Sequence, residues 1–421
     1  MISIPKTIFT GMAPNIQSSQ VWNALALLVL PWKWSHWKKG NYTQTAERLL
    51  SDYLQVPHVV SVDSGRTALY AALLAGDIQP GDEVLVQAYT CMVVINAIRW
   101  TGATPVYLDI LPDFTIDPAQ VAQRISSKTK ALIIQHSFGT PANIADLIAV
   151  AKKHNLFTIE DAAHSLGARY SNGKQTGTVA DIGIFSFGSD KVISCARGGA
   201  AVTASETYAL RLRSYQQSLP QTTAKRIAQH LLHFPIMAIG KRLYSWGVGK
   251  WLLYIAQQTS IINKIIYKEE KKGQMALPYP AQFPNALALL LIDQLSRIDK
   301  INTHRRHIAA YYAKTLQIAS PIANHPNSIF LRYPLLVQDP KQYHSYAKTQ
   351  HILLGNWYDT VIAPRDSDMS STGYKNGSCP NAEMLAAQSI NLPTHEGISQ
   401  KDAEKIVTVM HHIYDRNKTN T

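Results

Sequence analysis

Short β-rich runs alternate with helical stretches from Val59 to about Thr203, and no other feature of this chain restricts its fold so strongly. Val59–Val62, Glu83–Gln87, Thr104–Leu108, Ala131–Gln135, Phe157–Glu160 and Ile182–Phe187 read as strands. Thr67–Ala75, Val94–Trp100, Pro118–Arg124 and Ile144–His154 read as the helices between them. Strands separated by helices predict an α/β architecture with a mostly parallel central sheet flanked by helices. Such a sheet places its ligands beyond the carboxyl ends of its strands, so the residues that follow each strand are the ones to read for chemistry.

The rest of the chain is organised differently. Tyr208 to Lys268 holds nine Lys and Arg and no Asp or Glu, mixed with aromatic and aliphatic residues. It reads as an insertion or appended element. Beyond the charged run Lys268-Glu269-Glu270-Lys271-Lys272-Gly273, Asn285 to Leu316 has the period of one long helix, with Leu287, Leu290, Leu291, Leu295, Ile298 and Ile301 on one side. Ile329–Leu336, Tyr358–Ile362 and Lys401–Tyr414 suggest a smaller α+β C-terminal domain. The expected division is 1–204, 205–275 and 276–421, within the two or three domains that 421 residues allow.

Composition excludes several classes. At 46% hydrophobic the chain can bury a large core, so general disorder is ruled out. Cys91, Cys195 and Cys379 have neither the number nor the spacing of a disulfide framework or zinc site, and no signal-peptide pattern precedes them. A cytoplasmic protein without a bound metal is expected. No apolar run reaches the roughly 18 residues needed to cross a bilayer; Val21–Leu30 ends at Pro31, and Leu231–Ile239 is broken by His233 and Pro235. The formal charge of +13 suits acidic partners, among them phosphorylated small molecules, but does not choose between them.

Three constellations follow strands. Phe157–Glu160 runs into Asp161-Ala162-Ala163-His164-Ser165, and Lys191 follows a later strand and the turn Ser186-Phe187-Gly188-Ser189-Asp190. A lysine that can form an imine and a carboxylate that can keep a pyridine nitrogen protonated are the pair that pyridoxal 5′-phosphate chemistry needs. Singly, each has a plainer reading, a surface lysine and a helix-capping aspartate. Ser64-Gly65-Arg66-Thr67 opens a helix directly after a strand, where free N–H groups and small residues suit a phosphate, although Ser, Thr and Gly also favour ordinary caps. Gln87-Ala88-Tyr89-Thr90-Cys91 ends a third strand, where a side chain could lie over a flat cofactor or simply pack in a loop.

Order and spacing together resemble one family. Ser-Gly-x-Thr-Ala-Leu from Ser64, Pro80-Gly81-Asp82-Glu83-Val84, Glu-Asp-Ala-Ala-His-Ser from Glu160, Ser-Phe-x-x-x-Lys from Ser186, and Gly198-Gly199 resemble the DegT/StrS sugar aminotransferases, which have fold type I of the pyridoxal-phosphate enzymes. Gln294-Leu295, Arg305-Arg306, Gly355-Asn356-Trp357-Tyr358 and Asn391-Leu392-Pro393 extend the resemblance over most of the chain, leaving out Tyr208 to Ala276. The resemblance implies that Lys191 carries the cofactor as an imine and later shuttles the substrate proton. Asp161 would pair with the ring nitrogen and His164 would meet the phenolic oxygen. Ser64, Gly65, Arg66, Thr67 and Ser186 would hold the phosphate, and Cys91 would stand where relatives stack an aromatic ring.

It also implies a homodimer that passes an amine from an amino acid, usually glutamate, to a keto group of a nucleotide-linked sugar, for amino-sugar and surface-polysaccharide biosynthesis. Nucleic acid is not among the expected partners. The chain departs from the family at Arg66, where a Thr is usual, and at Pro280 and Gln282, where an Asn and an Arg often reach the partner's site. Rival expectations are the same fold acting on a non-sugar cyclic ketone, and a membrane-associated protein with a vestigial cofactor site. Residues 208–268 read either as a basic, aromatic element at the inner face of a membrane or as helices packed on the dimer or over the cleft.

Overall fold

A computed structural model describes residues 6–277 and 279–419. Its centre is a seven-stranded sheet in the order His58–Val62, Gly199–Thr203, Ile182–Ser186, Phe157–Asp161, Thr129–Gln135, Glu83–Gln87, Thr104–Leu108. All neighbours run parallel except Gly199–Thr203, which is antiparallel to both of its own. The central strands are apolar on both faces, as a sheet covered by helices requires: Val84, Leu85 and Val86, and Ala131 to Ile134, are fully buried. Gly65–Ala75, Met92–Trp100, Pro118–Arg124 and Ile144–Lys153 are helices, three of them started by a side-chain cap from Ser64, Asp117 or Asn143. The expected mostly parallel α/β architecture is what forms.

The C-terminal part contains the antiparallel pair Tyr333–Leu336 and Ser389–Leu392, with the helices Pro340–Thr349, Pro380–Gln388 and Gln400–Thr419. Two short pairings tie it to the rest. Ile8–Phe9 runs parallel to Ile352–Leu353, and Ile362–Ala363 runs parallel to Thr90–Cys91. The second pairing brings the segment after Asn356 over the carboxyl end of the sheet.

Several expectations change in detail. Asn285–Leu316 is not one helix but two, Asn285–Leu295 and Ile298–Thr315, because Ser296 turns its hydroxyl back onto the Asp293 carbonyl and Arg297 leaves the helical region. The apolar stripe survives the break, with Leu287, Leu290, Leu291, Leu295, Ile298 and Ile301 all buried. Only Tyr333–Leu336 of the expected strand Ile329–Leu336 pairs. The N–H groups of Ile329 and Leu331 donate instead to the carbonyls of Gly139 and Phe138. Likewise only Ile362–Ala363 forms a strand near the expected Tyr358–Ile362.

Tyr208 to Lys268 resolves into distinct surroundings. The helix Glu206–Ser218 packs on His58–Val62 and Gly65–Ala75, so it belongs to the wall of the large sheet. Ala224–Arg242 lies between Ser18–Val29 and Val248–Gln258 and buries Ile227, Leu231, Phe234 and Met237. Val248–Gln258 buries Gly249, Leu253 and Ala256 but exposes Trp251, Tyr254 and Ile255. Among the described residues, no helix is long and apolar enough to cross a membrane.

Candidate active site

A cavity of about 560 Å³ opens beyond the carboxyl ends of the central strands. It is lined by Lys191, Asp161, His164, Cys91, Ser64, Gly65, Arg66 and Ser186, so eight of the nine residues expected at the site meet there. The exception is Thr67, whose hydroxyl lies 3.0 Å from Ser64 Oγ behind the cavity wall. Thr67 holds Ser64 in place.

The backbone around Lys191 is pinned from the N-terminal segment. Asn15 Nδ2 donates to the carbonyls of Lys191 (2.6 Å) and Val192 (2.9 Å). In the preceding turn, Asp190 accepts from the Ala13 N–H at 2.9 Å and from Arg332 Nη2 at 3.4 Å. Burial pushes the Lys191 ammonium below its ordinary pKa, partly opposed by Asp161 and Cys91. A larger neutral fraction makes the amine a better nucleophile.

Asp161 ends the strand Phe157–Asp161 and accepts from the Ala163 N–H at 3.0 Å. Burial raises its carboxyl, and the positive charge of Lys191 opposes that rise. His164 lies flat on the Trp357 indole, 4.9 Å between centroids and 13° between planes. Burial, with Lys191 and Arg332 nearby, holds its imidazole well below the usual pKa, and its Nδ1 has no hydrogen-bond partner among the described residues. Cys91 precedes the helix Met92–Trp100, and burial raises its thiol.

At the opposite end, the N-terminus of Gly65–Ala75 meets a cradle that side chains would fill. A Cβ on Gly65 would lie 2.7 Å from Ser186 Cβ, and one on Gly199 would lie 2.4 Å from the Ser64 carbonyl carbon. Such close backbone approach beside free N–H groups suits a phosphate. Arg66 lines the same end, but its guanidinium is bonded to the buried Glu270 carboxylate and to the Ile265 carbonyl. The buried partnerless His164 Nδ1 at one end and the glycine cradle at the other fit pyridoxal 5′-phosphate, with Lys191 and Asp161 in the same cavity.

Sequence reasoning missed Gln135, Arg197, Asn263, Asn356 and Trp357 among the lining residues. Arg197 directly precedes Gly198-Gly199 and Trp357 lies in the noted Gly355-Asn356-Trp357-Tyr358, so both stood beside a recognised motif. Asn263 carried no signal of its own.

The model of the DegT/DnrJ/EryC1/StrS aminotransferase family matches residues 27–243 and 255–411. The chain belongs to this family. The match also corrects the extent expected for the resemblance, since it runs through most of Tyr208–Ala276 and leaves only 244–254 between its two parts. Among curated relatives, GDP-perosamine synthase of Escherichia coli O157:H7 is 27% identical over 380 residues, covering 89% of this chain and 91% of its own. The dTDP-3-amino-3,6-dideoxy-alpha-D-galactopyranose transaminase of Aneurinibacillus thermoaerophilus is 26% identical over 380 residues, covering 87% and 89%. Of solved structures, Bacillus subtilis NtdA with bound cofactor PMP aligns with a TM-score of 0.75 at 20% identity, over 98% of this chain and 86% of its own. S. venezuelae DesV in complex with a ketimine intermediate aligns with a TM-score of 0.72 at 24% identity, over 94% of each chain. The expected fold type and aminotransferase family are borne out, and with them the expectation of an enzyme dependent on pyridoxal 5′-phosphate.

Proposed function

We propose that this aminotransferase moves an amino group from an amino acid, with glutamate as donor, to a keto group of a nucleotide-linked sugar, feeding amino-sugar and surface-polysaccharide assembly. The observation that carries the reading is the convergence of Lys191, Asp161 and His164 in one cavity whose far end is a glycine-lined helix N-terminus. Relatives named as aminotransferases of UDP- and dTDP-linked sugars support the substrate class.

When bound, pyridoxal 5′-phosphate supplies an electron sink and a carrier for the amine. Lys191 Nζ would hold the cofactor and, when free of it, would take and return the proton at the substrate carbon. The Asp161 carboxylate would accept a hydrogen bond from the cofactor's ring nitrogen and keep it protonated, each charge favouring the other. His164, stacked on Trp357, would orient the ring, and Cys91 would offer its sulfur as a contact. Ser64, Gly65 and Ser186 would receive the phosphate. Asn263, Ile265 and Ile266 form part of the cavity wall, which supports the view that the end of the basic segment covers the cleft.

The test is an absorbance spectrum of purified protein with and without cofactor, followed by incubation with glutamate and a panel of nucleotide-linked ketosugars and cyclic ketones. Release of 2-oxoglutarate with a ketosugar alone supports the reading. Release only with a non-sugar ketone sinks the substrate class and leaves the aminotransferase.

We infer a homodimer as the working unit, to be checked by sedimentation. A second reading, peripheral membrane contact on the cytoplasmic side, rests on the exposed Trp246, Trp251, Tyr254 and Ile255.

A further inference from the structure

The phosphate end of the cavity holds a guanidinium with unused donors. Arg197 is 5% exposed, and its Nε and Nη2 have no hydrogen-bond partner among the described residues. Its Nη1 donates to the Lys264 carbonyl at 3.2 Å, and its guanidinium lies 4.2 Å from the Tyr279 ring centroid. One side of the fork is thus anchored, while the Nε–Nη2 edge is buried without a partner in a residue that lines the cavity. Burying charged donors without acceptors is costly, so a site that keeps them implies a ligand that supplies acceptors.

Position identifies the ligand's chemistry. Arg197 stands two residues before Gly199, whose backbone abuts Ser64 and Gly65 at the start of the helix Gly65–Ala75. Arg66, the nearer arginine in sequence, has its guanidinium taken by Glu270 and the Ile265 carbonyl. A planar guanidinium with two free N–H groups on one edge matches a phosphoryl group, which accepts two parallel hydrogen bonds.

We propose that Arg197 binds the cofactor's phosphate from within the same chain, opposite the N-terminus of Gly65–Ala75, while Arg66 and Glu270 form the buried wall behind it. The inference rests on the reading of the glycine cradle as the phosphate end of the site. It makes Arg197 a cofactor-binding residue and leaves the proton-transfer steps to Lys191.

The experiment compares pyridoxal 5′-phosphate with pyridoxal, which lacks the phosphate, on full-length protein freed of cofactor. Kd is read from the absorbance of bound cofactor for the unsubstituted chain, Arg197→Gln and Arg197→Lys, with circular dichroism and thermal denaturation to confirm folding. Arg197→Gln is expected to raise the Kd for pyridoxal 5′-phosphate roughly tenfold or more, the loss of one charge-assisted pair, and to leave that for pyridoxal unchanged. Arg197→Lys keeps the charge but loses the fork, so its value falls between; if Arg197→Gln does not fold, Arg197→Lys decides by the same comparison. Equal weakening of both ligands assigns Arg197 a structural role and overturns the proposal. So does an unchanged Kd for pyridoxal 5′-phosphate, including a case where only the KM for the nucleotide sugar rises. Failure of the unsubstituted chain to bind either ligand overturns the site reading as well.

Discussion

His164 and Trp357 lie face to face, 4.9 Å apart and 13° from parallel, although 193 positions separate them in the chain. Two cations also lie against that indole: Arg332 sits 3.5 Å and Lys191 Nζ 5.1 Å from its centroid. Burial and these cations hold His164 neutral through the physiological range. His164 therefore acts by position and hydrogen bonding, not by changing charge. The pH profiles of kcat/KM for the unsubstituted enzyme and His164→Gln should coincide in shape between about pH 5 and 8, around the ordinary histidine pKa. A limb near pH 6.5 that disappears in His164→Gln would show that the imidazole titrates during catalysis.

Lys191 and Asp161 should separate by readout. Lys191→Ala is expected to lose cofactor fixed by borohydride while keeping its fold, since Lys191 is the only lysine among the described residues that lines the cavity. Peptide mapping of the reduced protein checks this, and a fixed cofactor persisting in the variant refutes the assignment. Asp161→Asn should lower kcat by about 100-fold or more with a much smaller change in cofactor affinity, because a neutral amide does not hold the ring nitrogen protonated. Unchanged turnover would remove Asp161 from the chemistry.

The parts of this arrangement that could be read in the sequence are those fixed by local pattern. Glu83–Gln87, Thr129–Gln135 and Phe157–Asp161 are apolar, β-rich runs followed by turn or polar residues, and Asp161 and Lys191 inherit their places from such strands. Gly199–Thr203 was not legible. Gly-Ala-Ala-Val-Thr has weak strand propensity, and pairing with His58–Val62 and Ile182–Ser186 makes it a strand. Trp357 reaches His164 through tertiary contacts with no local signal: its backbone N–H donates to Asn391 Oδ1 at 2.9 Å, and the following Ile362–Ala363 pairs with Thr90–Cys91. Arg197 and Arg66 differ by partner alone, since Glu270 lies 204 residues from Arg66 in sequence.

That ion pair gives a stability prediction. Glu270 is fully buried, and besides Arg66 it accepts from the Tyr267 N–H at 2.8 Å. Removing the carboxylate in Glu270→Ala strands a buried guanidinium, a loss of about 3–5 kcal/mol by denaturant unfolding of the cofactor-free chain. The double variant Arg66→Gln, Glu270→Gln should cost less than the sum of its two single variants. Strict additivity would show that the two side chains do not stabilise each other.

Asp63 links the same region to pH. Burial raises its carboxyl to about 6, against hydrogen bonding from Thr67 and the charges of Arg197 and Arg66. The folded state therefore binds a proton that the unfolded state releases near pH 4. The resulting stability is full below the unfolded pKa and is lost as pH rises through the folded value. Between pH 4 and 6 the unsubstituted chain should lose up to about 3 kcal/mol relative to Asp63→Asn, an upper bound set by the size of the shift. Parallel stability curves for the two proteins over that range would sink the prediction.

The surface of Val248–Gln258 decides the second reading of the basic segment. Trp246, Val248, Trp251, Tyr254 and Ile255 are each more than half exposed, and Arg242 and Lys250 are exposed beside them. Lys241 is not part of this surface: it is mostly buried, donates to the Ala13 carbonyl, and burial lowers its ammonium to about 8. Tryptophan and aliphatic side chains turned outward among cations are the chemistry of an anionic lipid interface, where each Arg or Lys contributes on the order of 1 kcal/mol. The full chain should float with anionic liposomes at low salt and not with neutral ones. Flotation should disappear when Arg242 and Lys250 become Gln and Trp246 and Trp251 become Ser, with kcat unchanged because none of the four lines the cavity. Absence of flotation by the unsubstituted chain overturns membrane contact. A shift of the variant from dimer to monomer in sedimentation, without flotation by either protein, assigns the exposed face to the subunit interface instead.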